Sequence, residues 1–307
     1  MILVALAILA STAAGVGAER RWSAGAVRLS QRLIGLTIWG LVPFITLFVV
    51  ARLHLGSGVG IGLALGYVEL AIVATLAYVI GTKVLKLPRP SVGTLILSVL
   101  IANTGYLGLP VIAALLGHDA LAPAIAWDTL VSGIVLYVFG FAVGAAFGTK
   151  AGESPRERLR AFLTGNPIMY AFAVGLLIPD ALAPDAIVSV AKFVAAYALL
   201  PIGFFILGAN LMGEREDGTL DFPPPLSAPV GVALVLRMAV APGLLAGLSA
   251  ATVSVPHAYL LQAAMASGIN TLIVSHLYGL DLRLAASTVA WSTTIAVAAA
   301  LALSPLI

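Results

Sequence analysis

Long apolar runs alternate with short polar segments along the whole chain. Ten runs reach the roughly 20 mostly apolar residues that a membrane-spanning helix requires. They cover residues 1–18, 29–52, 60–81, 92–116, 122–147, 161–179, 187–211, 227–252, 257–278 and 284–307. Because the segments between them are short, no soluble domain is expected. The pattern predicts an all-α integral membrane protein with ten transmembrane helices.

Composition agrees with a lipid environment. The chain has 307 residues, of which 61% are hydrophobic and 9% charged, and its mean hydropathy is +1.10. It contains no cysteine, which excludes disulfides, thiol chemistry and cysteine metal sites. No motif typical of metalloproteases or serine hydrolases occurs in it. We therefore expect no enzyme activity, no cofactor, no metal and no nucleic-acid partner.

Two features of the chain concern its placement in the membrane. Nothing basic precedes the first apolar run, so we expect this run to remain as a helix rather than to be cleaved as a signal peptide. Of the 16 basic residues, 13 lie in or directly beside alternate loops, those after the first, third, fifth, seventh and ninth runs. Cytoplasmic loops collect lysine and arginine. The distribution predicts a multi-pass protein of the cell (inner) membrane with both termini outside.

The two halves of the sequence resemble each other. LVPFITLFVVARL (41–53) aligns with LLPIGFFILGANL (199–211), and Asn103-Thr104 aligns with Asn270-Thr271. The matches occur in the same order in corresponding runs, which indicates an internal repeat.

This repeat divides the chain into three parts. Residues 1–148 form a first five-helix repeat, 149–160 a cytoplasmic linker and 161–307 a second five-helix repeat. Because each repeat has an odd number of helices, the second inserts upside down. Inverted repeats are typical of secondary transporters, whose substrate sites lie near the bilayer midplane at broken helices.

The fourth and ninth runs carry polar and helix-breaking residues in their middle. In the fourth run they are Asn103, Thr104, Gly105, Gly108 and Pro110, and in the ninth they are Ser267, Gly268, Asn270 and Thr271. Proline removes a backbone donor and glycine weakens a helix. Unwound backbone at this depth must face protein or a watery cavity. Symmetry-related breaks beside Asn-Thr predict a binding site formed by these nine residues.

The broken ends also suggest what binds there. The N-terminus of a half-helix exposes unpaired N–H groups and carries a partial positive charge, so it suits an anion. Asn103 and Asn270 can donate side-chain hydrogen bonds to a carboxylate. The predicted substrate is a small organic anion, whose identity the pattern does not specify.

NTGYLGLP in the fourth run, LTGNP (163–167), LLPIGFFILGANL and the INT…YG ending of the ninth run are similar to signatures of the auxin efflux carrier family. This resemblance implies two inverted five-helix repeats, with helices 4 and 9 crossing at the substrate site. It also implies an elevator-type carrier, with a scaffold of helices 1, 2, 6 and 7 and a transport unit of helices 3–5 and 8–10. Family substrates include indole-3-acetate and dicarboxylates such as malonate or malate. Asn103, Pro110 and Asn270 match the crossover residues, but this chain lacks the proline that relatives often have at the helix-9 break.

Three charged residues fall within predicted spans: Glu69, Asp128 and Arg237. A charge inside a span is costly and is expected to have a partner or a function. We predict that Arg237 pairs with Glu69 or Asp128. The alternative is that one of these carboxyl groups couples proton movement to transport.

The sequence therefore predicts a secondary transporter that moves a small organic anion, auxin-like or a dicarboxylate, by alternating access, with efflux as the favoured direction. The alternatives are a proton- or sodium-coupled organic-acid symporter and a channel. Its expected partners are the bilayer and the anion, and a homodimer is left open.

Overall fold

The computed structural model describes residues 2–52, 57–149, 156, 167–216 and 224–303. The regular secondary structure of these residues is helical, and the β-type pairing within them is an isolated antiparallel bridge between Ala102 and Ser267. The prediction of an all-α membrane protein is therefore confirmed. The linker predicted at 149–160 lies outside the described residues, except for Thr149 and Arg156.

The α-helices are numbered in chain order. They are α1 (Ile2–Leu36), α2 (Val42–Val50), α3 (Ser57–Val79), α4 (Arg89–Leu100), α5 (Leu109–Leu116), α6 (Leu121–Trp127), α7 (Phe141–Phe147), α8 (Pro167–Leu177), α9 (Asp185–Tyr197), α10 (Leu199–Glu216), α11 (Ala228–Val235), α12 (Ala241–Ala251), α13 (His257–Ala263), α14 (Asn270–Tyr278) and α15 (Leu282–Leu303).

Six described helical stretches are long and apolar enough to cross a membrane. They are Ile2–Val50, Val59–Val84, His118–Phe147, Asp185–Asn210, Ala228–Ala251 and Leu282–Leu303. The first has 49 residues, about 74 Å of helix at 1.5 Å per residue, whereas the hydrocarbon core is about 30 Å thick. One stretch therefore contains enough residues for two crossings.

Between the first and second apolar runs, where the sequence predicts a loop, the structure has a helix. Residues 19–28 are helical and continue α1, and the helix is interrupted at Trp22, whose backbone has φ −155° and ψ 54°. This segment contains no proline and several good helix formers, so nothing in it ends a helix. The polar, arginine-containing segment that the sequence predicts as a loop is a kinked helix.

Several helices contain π-helical turns, and three of these turns precede a proline. Thr37–Leu41 precedes Pro43, Thr104–Gly108 precedes Pro110, and Leu236–Val240 precedes Pro242. Because proline has no N–H and its ring crowds the preceding turn, a wider turn before it relieves the clash. These prolines produce irregular backbone in the middle of apolar runs.

The buried side chains separate into distinct groups. The largest cluster includes Leu95, Trp127, Leu245 and Tyr278, and its members come from the third, fourth, fifth, eighth, ninth and tenth runs and from the short segments between them. Elsewhere α1 packs closely on α10, because Gly15 and Gly208 have no side chains and admit the carbonyls of Phe205 and Thr12. Such small-residue contacts are a usual way to join helices in membranes.

Candidate functional site

The two predicted helix breaks are paired with each other. The N–H of Asn103 donates to the carbonyl of Ala266 at 2.8 Å, and the N–H of Gly268 donates to the carbonyl of Ile101 at 2.7 Å. These bonds form an antiparallel bridge between two extended segments. Each break thereby supplies the backbone partners that the other lost when its helix was interrupted.

Side chains strengthen this pairing. The hydroxyl of Ser267 donates to the carbonyl of Ser98 at 2.6 Å, and the Ser267 N–H donates to Oγ of Ser292 at 3.0 Å. The amide of Gln262 donates to the carbonyls of Thr104 and Ala124, at 3.3 and 3.1 Å. The breaks are therefore fixed by hydrogen bonds from both sides.

Arg237 occupies the buried side of the breaks. Its guanidinium donates to four backbone carbonyls, those of Val99, Gln262, Ala263 and Met265, at distances between 2.9 and 3.3 Å. Carbonyls near a helix end have lost their intrahelical donors. The planar fork of arginine can reach several of them at once. Arg237 thus replaces donors that the interrupted helices lack.

Arg237, which was expected to pair with Glu69 or Asp128, forms a hydrogen-bonded ion pair with neither of them in this structure. Glu69 is fully buried, and neither of its carboxylate oxygens has a hydrogen-bond partner among the described residues. It lies near enough to Arg237 for the two charges to interact. Asp128 instead accepts a hydrogen bond from the hydroxyl of Thr104. The donors of Arg237 are engaged by backbone carbonyls, which the sequence pattern could not reveal.

A cavity of about 190 Å³ opens beside the paired breaks. Four π-helical segments contribute to its wall, namely Thr37–Leu41, Thr104–Gly108, Asp128–Gly133 and Val135–Gly140. Such turns often occur at functional sites because they expose backbone and redirect side chains. Much of the wall is apolar, and its polar residues include Asn103, Thr104, Asn270 and Asp128.

The cavity brings together some of the predicted site residues and leaves others out. Asn103, Thr104, Gly105, Gly268, Asn270 and Asp128 line it. Gly108, Pro110, Ser267, Thr271, Glu69 and Arg237 are not among the residues that line it.

The residues outside the wall have positions that explain their absence from it. Gly108 faces the side-chain amide of Gln262, against which any side chain would clash. Pro110 is buried in the first turn of α5. Ser267 and Thr271 are buried on the other side of the second break. These four residues shape or pack the breaks without reaching the cavity.

Asn103 has the side chain best prepared to bind a ligand. It is 4% exposed, its Oδ1 accepts from the N–H of Leu107 at 3.3 Å, and its Nδ2 has no partner among the described residues. A buried N–H₂ group without a partner is costly. Two helical segments, Thr104–Leu116 and Asn270–Tyr278, also begin at the cavity, so their positive ends meet there.

Several cavity residues were not predicted from the sequence. Tyr106, Tyr137, Thr129 and Ser132 are hydroxyl-bearing residues that line the wall. All four lie on π-helical segments. A regular 3.6-residue periodicity places such residues on the wrong face, so a helical pattern could not identify them.

The described side chains limit the chemistry of the site. No lysine, arginine or histidine is among the described residues that line the cavity, and these parts of the chain contain no cluster of three metal-ligating residues. The arrangement offers amide and hydroxyl donors, two helix N-termini and one carboxyl group. It suits reversible binding of a small polar or charged solute.

Comparison with known proteins points to the same activity. Residues 163–303 match the family described as membrane transport protein. The chain is 28% identical over 238 residues to an uncharacterized transporter of Methanocaldococcus jannaschii, an alignment that covers 72% of this chain and 70% of that protein. These findings confirm the resemblance indicated by the sequence and assign a transporter rather than an enzyme. The chain is a multi-pass membrane protein that is similar, over residues 163–303, to the membrane transport protein family.

Proposed function

We propose that the protein is a secondary carrier that moves a small organic anion across the cell membrane by alternating access, in the direction of efflux. The anion binds in the cavity beside the paired breaks. Its carboxylate accepts hydrogen bonds from Asn103 and Asn270 and lies at the N-termini of the helical segments that start at Thr104 and Asn270. The apolar part of the cavity wall contacts the body of the substrate.

The unpartnered Nδ2 of Asn103 is the observation that carries this proposal. This buried donor belongs to Asn103, which lies at the start of a helical segment and is one of the residues that line the cavity. A carboxylate would satisfy it with a charge-assisted hydrogen bond, which is stronger than a bond between neutral groups. The same group would gain nothing from an apolar solute.

The grouping of the helices supports an elevator mechanism. The largest buried cluster takes its side chains from helices 3–5 and 8–10, counted by the ten predicted runs, and from the short segments that join them. Helices 1 and 7 pack on each other through α1 and α10, and α2 packs on α8 and α9. In the proposed mechanism the first group moves as a transport unit against a scaffold of helices 1, 2, 6 and 7.

The proposed architecture has ten helices in two inverted repeats, 1–148 and 161–307, joined by a cytoplasmic linker at 149–160. Both termini lie outside the cell, and helices 4 and 9 cross at the substrate. The bridge between Ala102 and Ser267 supports such a crossing, because the corresponding breaks of the two halves meet there.

A coupled organic-acid symporter is the second candidate, and the carboxyl group of Asp128 in the cavity favours it. A carboxyl group in a substrate site can bind a proton or contribute to a sodium site. The two candidates share the same substrate class and differ in what accompanies it.

Transport by purified protein in liposomes tests the proposal. We expect vesicles preloaded with unlabelled indole-3-acetate or malonate to accumulate the labelled compound transiently, with saturable kinetics. Such counterflow requires a binding site that alternates between the two sides. Non-saturable flux without counterflow would identify a channel, and chemical conversion of the compound would identify an enzyme. No flux and no binding for any carboxylate tested would overturn the anion proposal.

A further inference from the structure

The carboxyl group of Asp128 lies beside the anion site. A methyl group placed on Gly105 would lie 3.6 Å from each of its two oxygens, and the hydroxyl of Thr104 donates to Oδ1. Thr104 and Gly105 begin the helical segment whose N-terminus would receive the substrate. A bound carboxylate and Asp128 therefore share one end of a cavity of about 190 Å³.

No charged group in the described wall of the cavity offsets Asp128. The groups that face it from neighbouring elements are the phenols of Tyr106 and Tyr137. From α3, the Tyr67 hydroxyl donates to the carbonyl of Leu130, which lies in the same π-helical segment as Asp128. The charge of Glu69, which is also on α3, interacts with that of Arg237. From α8, Ile168 and Met169 contribute apolar wall. Two negative charges would repel each other here with little solvent screening.

Two carboxylates that share one site usually take up a proton between them. Resting on the anion site of the proposed function and developing its second candidate, we propose that Asp128 binds one proton when the carboxylate substrate binds, and that each substrate carboxylate crosses the membrane with this proton. The proton comes from water on the binding side and adds to a carboxylate oxygen of Asp128. It leaves to water on the other side when the anion dissociates. For a monocarboxylate the complete cycle moves no net charge.

Glu69 is the other buried carboxyl group in a predicted span, and it does not suit this role. It is fully buried in the transport unit and does not line the cavity. A substrate cannot alter its environment by direct contact. It therefore provides a matched control for Asp128.

Calorimetry on the purified wild-type protein tests proton uptake without any substitution. Titration with indole-3-acetate or malonate at pH 7 in buffers of different ionisation enthalpy should report about one proton taken up per carboxylate site filled. Between about pH 6.5 and 8.5 the dissociation constant should weaken by up to about tenfold per pH unit, because the bound state holds the extra proton. A dissociation constant that does not change with pH, with no proton uptake, would overturn the proposal while the carrier function remained.

Variants then assign the proton to its residue. In Asp128→Asn the proton uptake and the pH dependence should both disappear, whereas Asp128→Glu should retain them. Glu69→Gln should keep the wild-type pH dependence of binding. Loss of that pH dependence in Glu69→Gln would overturn the assignment of the proton to Asp128. If Asp128→Asn does not fold, Asp128→Glu and the wild-type calorimetry still decide the matter.

A zwitterionic probe tests whether the positive charge that offsets Asp128 comes from an ammonium group of the substrate rather than from a bound proton. If phenylalanine binds and phenylacetate does not, Asp128 pairs with an ammonium group of the substrate and the proton proposal is overturned. If phenylacetate binds with proton uptake and phenylalanine does not, the proposal stands. Absence of binding by every carboxylate would overturn both this inference and the proposed function, whereas binding without proton uptake overturns only the inference.

Discussion

The N–H of Gly268 donates a hydrogen bond to the carbonyl oxygen of Ile101 at 2.7 Å, and this bond joins the broken helices of the two halves of the chain. The approach is possible because residue 268 has no side chain. A β-carbon there would lie 2.9 Å from the carbonyl oxygen of Ala102. Backbone atoms cannot move away as a flexible side chain could.

Gly268→Ala should therefore lower the stability of the fold and disturb the cavity. We expect a loss of about 1–3 kcal/mol, the usual cost of forcing extra atoms into a packed site. Thermal unfolding of the purified protein in detergent measures it. Gly247→Ala is the matched control, because a β-carbon at Gly247 in α12 has no neighbour within 4 Å. Equal melting temperatures for the two variants would contradict the close approach at Gly268.

Arg237 should be important for stability through its four carbonyl partners. Arg237→Ala leaves these carbonyls without their charged donor in a buried place, and we expect a loss of about 3–5 kcal/mol. Arg237→Lys should recover only part of it, since one ammonium group cannot reach the same four carbonyls as a planar fork. Chemical denaturation or thermal unfolding measures both variants.

The double variant Arg237→Ala/Glu69→Gln separates this role from that of an ion pair. If the carbonyls dominate, removing the charge of Glu69 should restore little of the lost stability. Substantial recovery would show that pairing with Glu69 is the main contribution. Arg28→Ala, which removes an exposed arginine from α1, should leave the melting temperature nearly unchanged.

Much of the helical framework could be predicted from the sequence, because an apolar run of about 20 residues is the length that a membrane-spanning helix requires. The interruption at Asn103–Pro110 could also be predicted, since glycine and proline weaken a helix wherever they occur. The kink at Trp22 could not, because arginine marks a polar segment without ending a helix. Polarity and helix propensity are separate properties, and here they disagree.

A different cause explains why only some of the predicted site residues line the cavity. Ser267 and Gly268 are neighbours in an extended segment, where successive side chains point to opposite sides, so only one of them lines the cavity. Arg237 is far from both breaks in sequence, Gln262 is far from the first, and both residues reach the breaks through hydrogen bonds to backbone carbonyls. Backbone acceptors leave no trace in the sequence, whereas a carboxylate partner would. Hence the ion pair was predicted and the carbonyl contacts were not.

The orientation of the protein can be tested because the chain contains no cysteine. Single cysteines should react with an impermeant maleimide in intact cells only on the outer face. We expect Ala181→Cys, at an exposed position between α8 and α9, to react. Ser154→Cys, in the basic segment between the halves, should react only after the cells are opened. Labelling of Ser154→Cys in intact cells would reverse the proposed orientation.

Asn103 and Asn270 should determine the affinity for the anion. Each amide would contribute a hydrogen bond to a carboxylate worth about 1.5–3 kcal/mol. Asn103→Ala and Asn270→Ala should therefore weaken binding of the carboxylate by about tenfold to a hundredfold. Aspartate at either position should weaken it further, because a carboxylate repels the anion where an amide donates to it. Titration calorimetry with the same carboxylate measures all four variants.

Stability measurements on the same proteins distinguish ligand binding from a purely structural role. The Oδ1 of Asn103 accepts from the N–H of Leu107, so Asn103→Ala also removes a helix cap, which costs about 1 kcal/mol. If capping were its whole role, the melting temperature would fall and the affinity of the folded protein would stay the same. Asn210→Ala, in α10 and outside the cavity wall, provides the control for loss of an amide elsewhere in the membrane. Only a loss of affinity that is confined to the two cavity asparagines supports an anion site, because capping, packing and general destabilisation would not select for those positions.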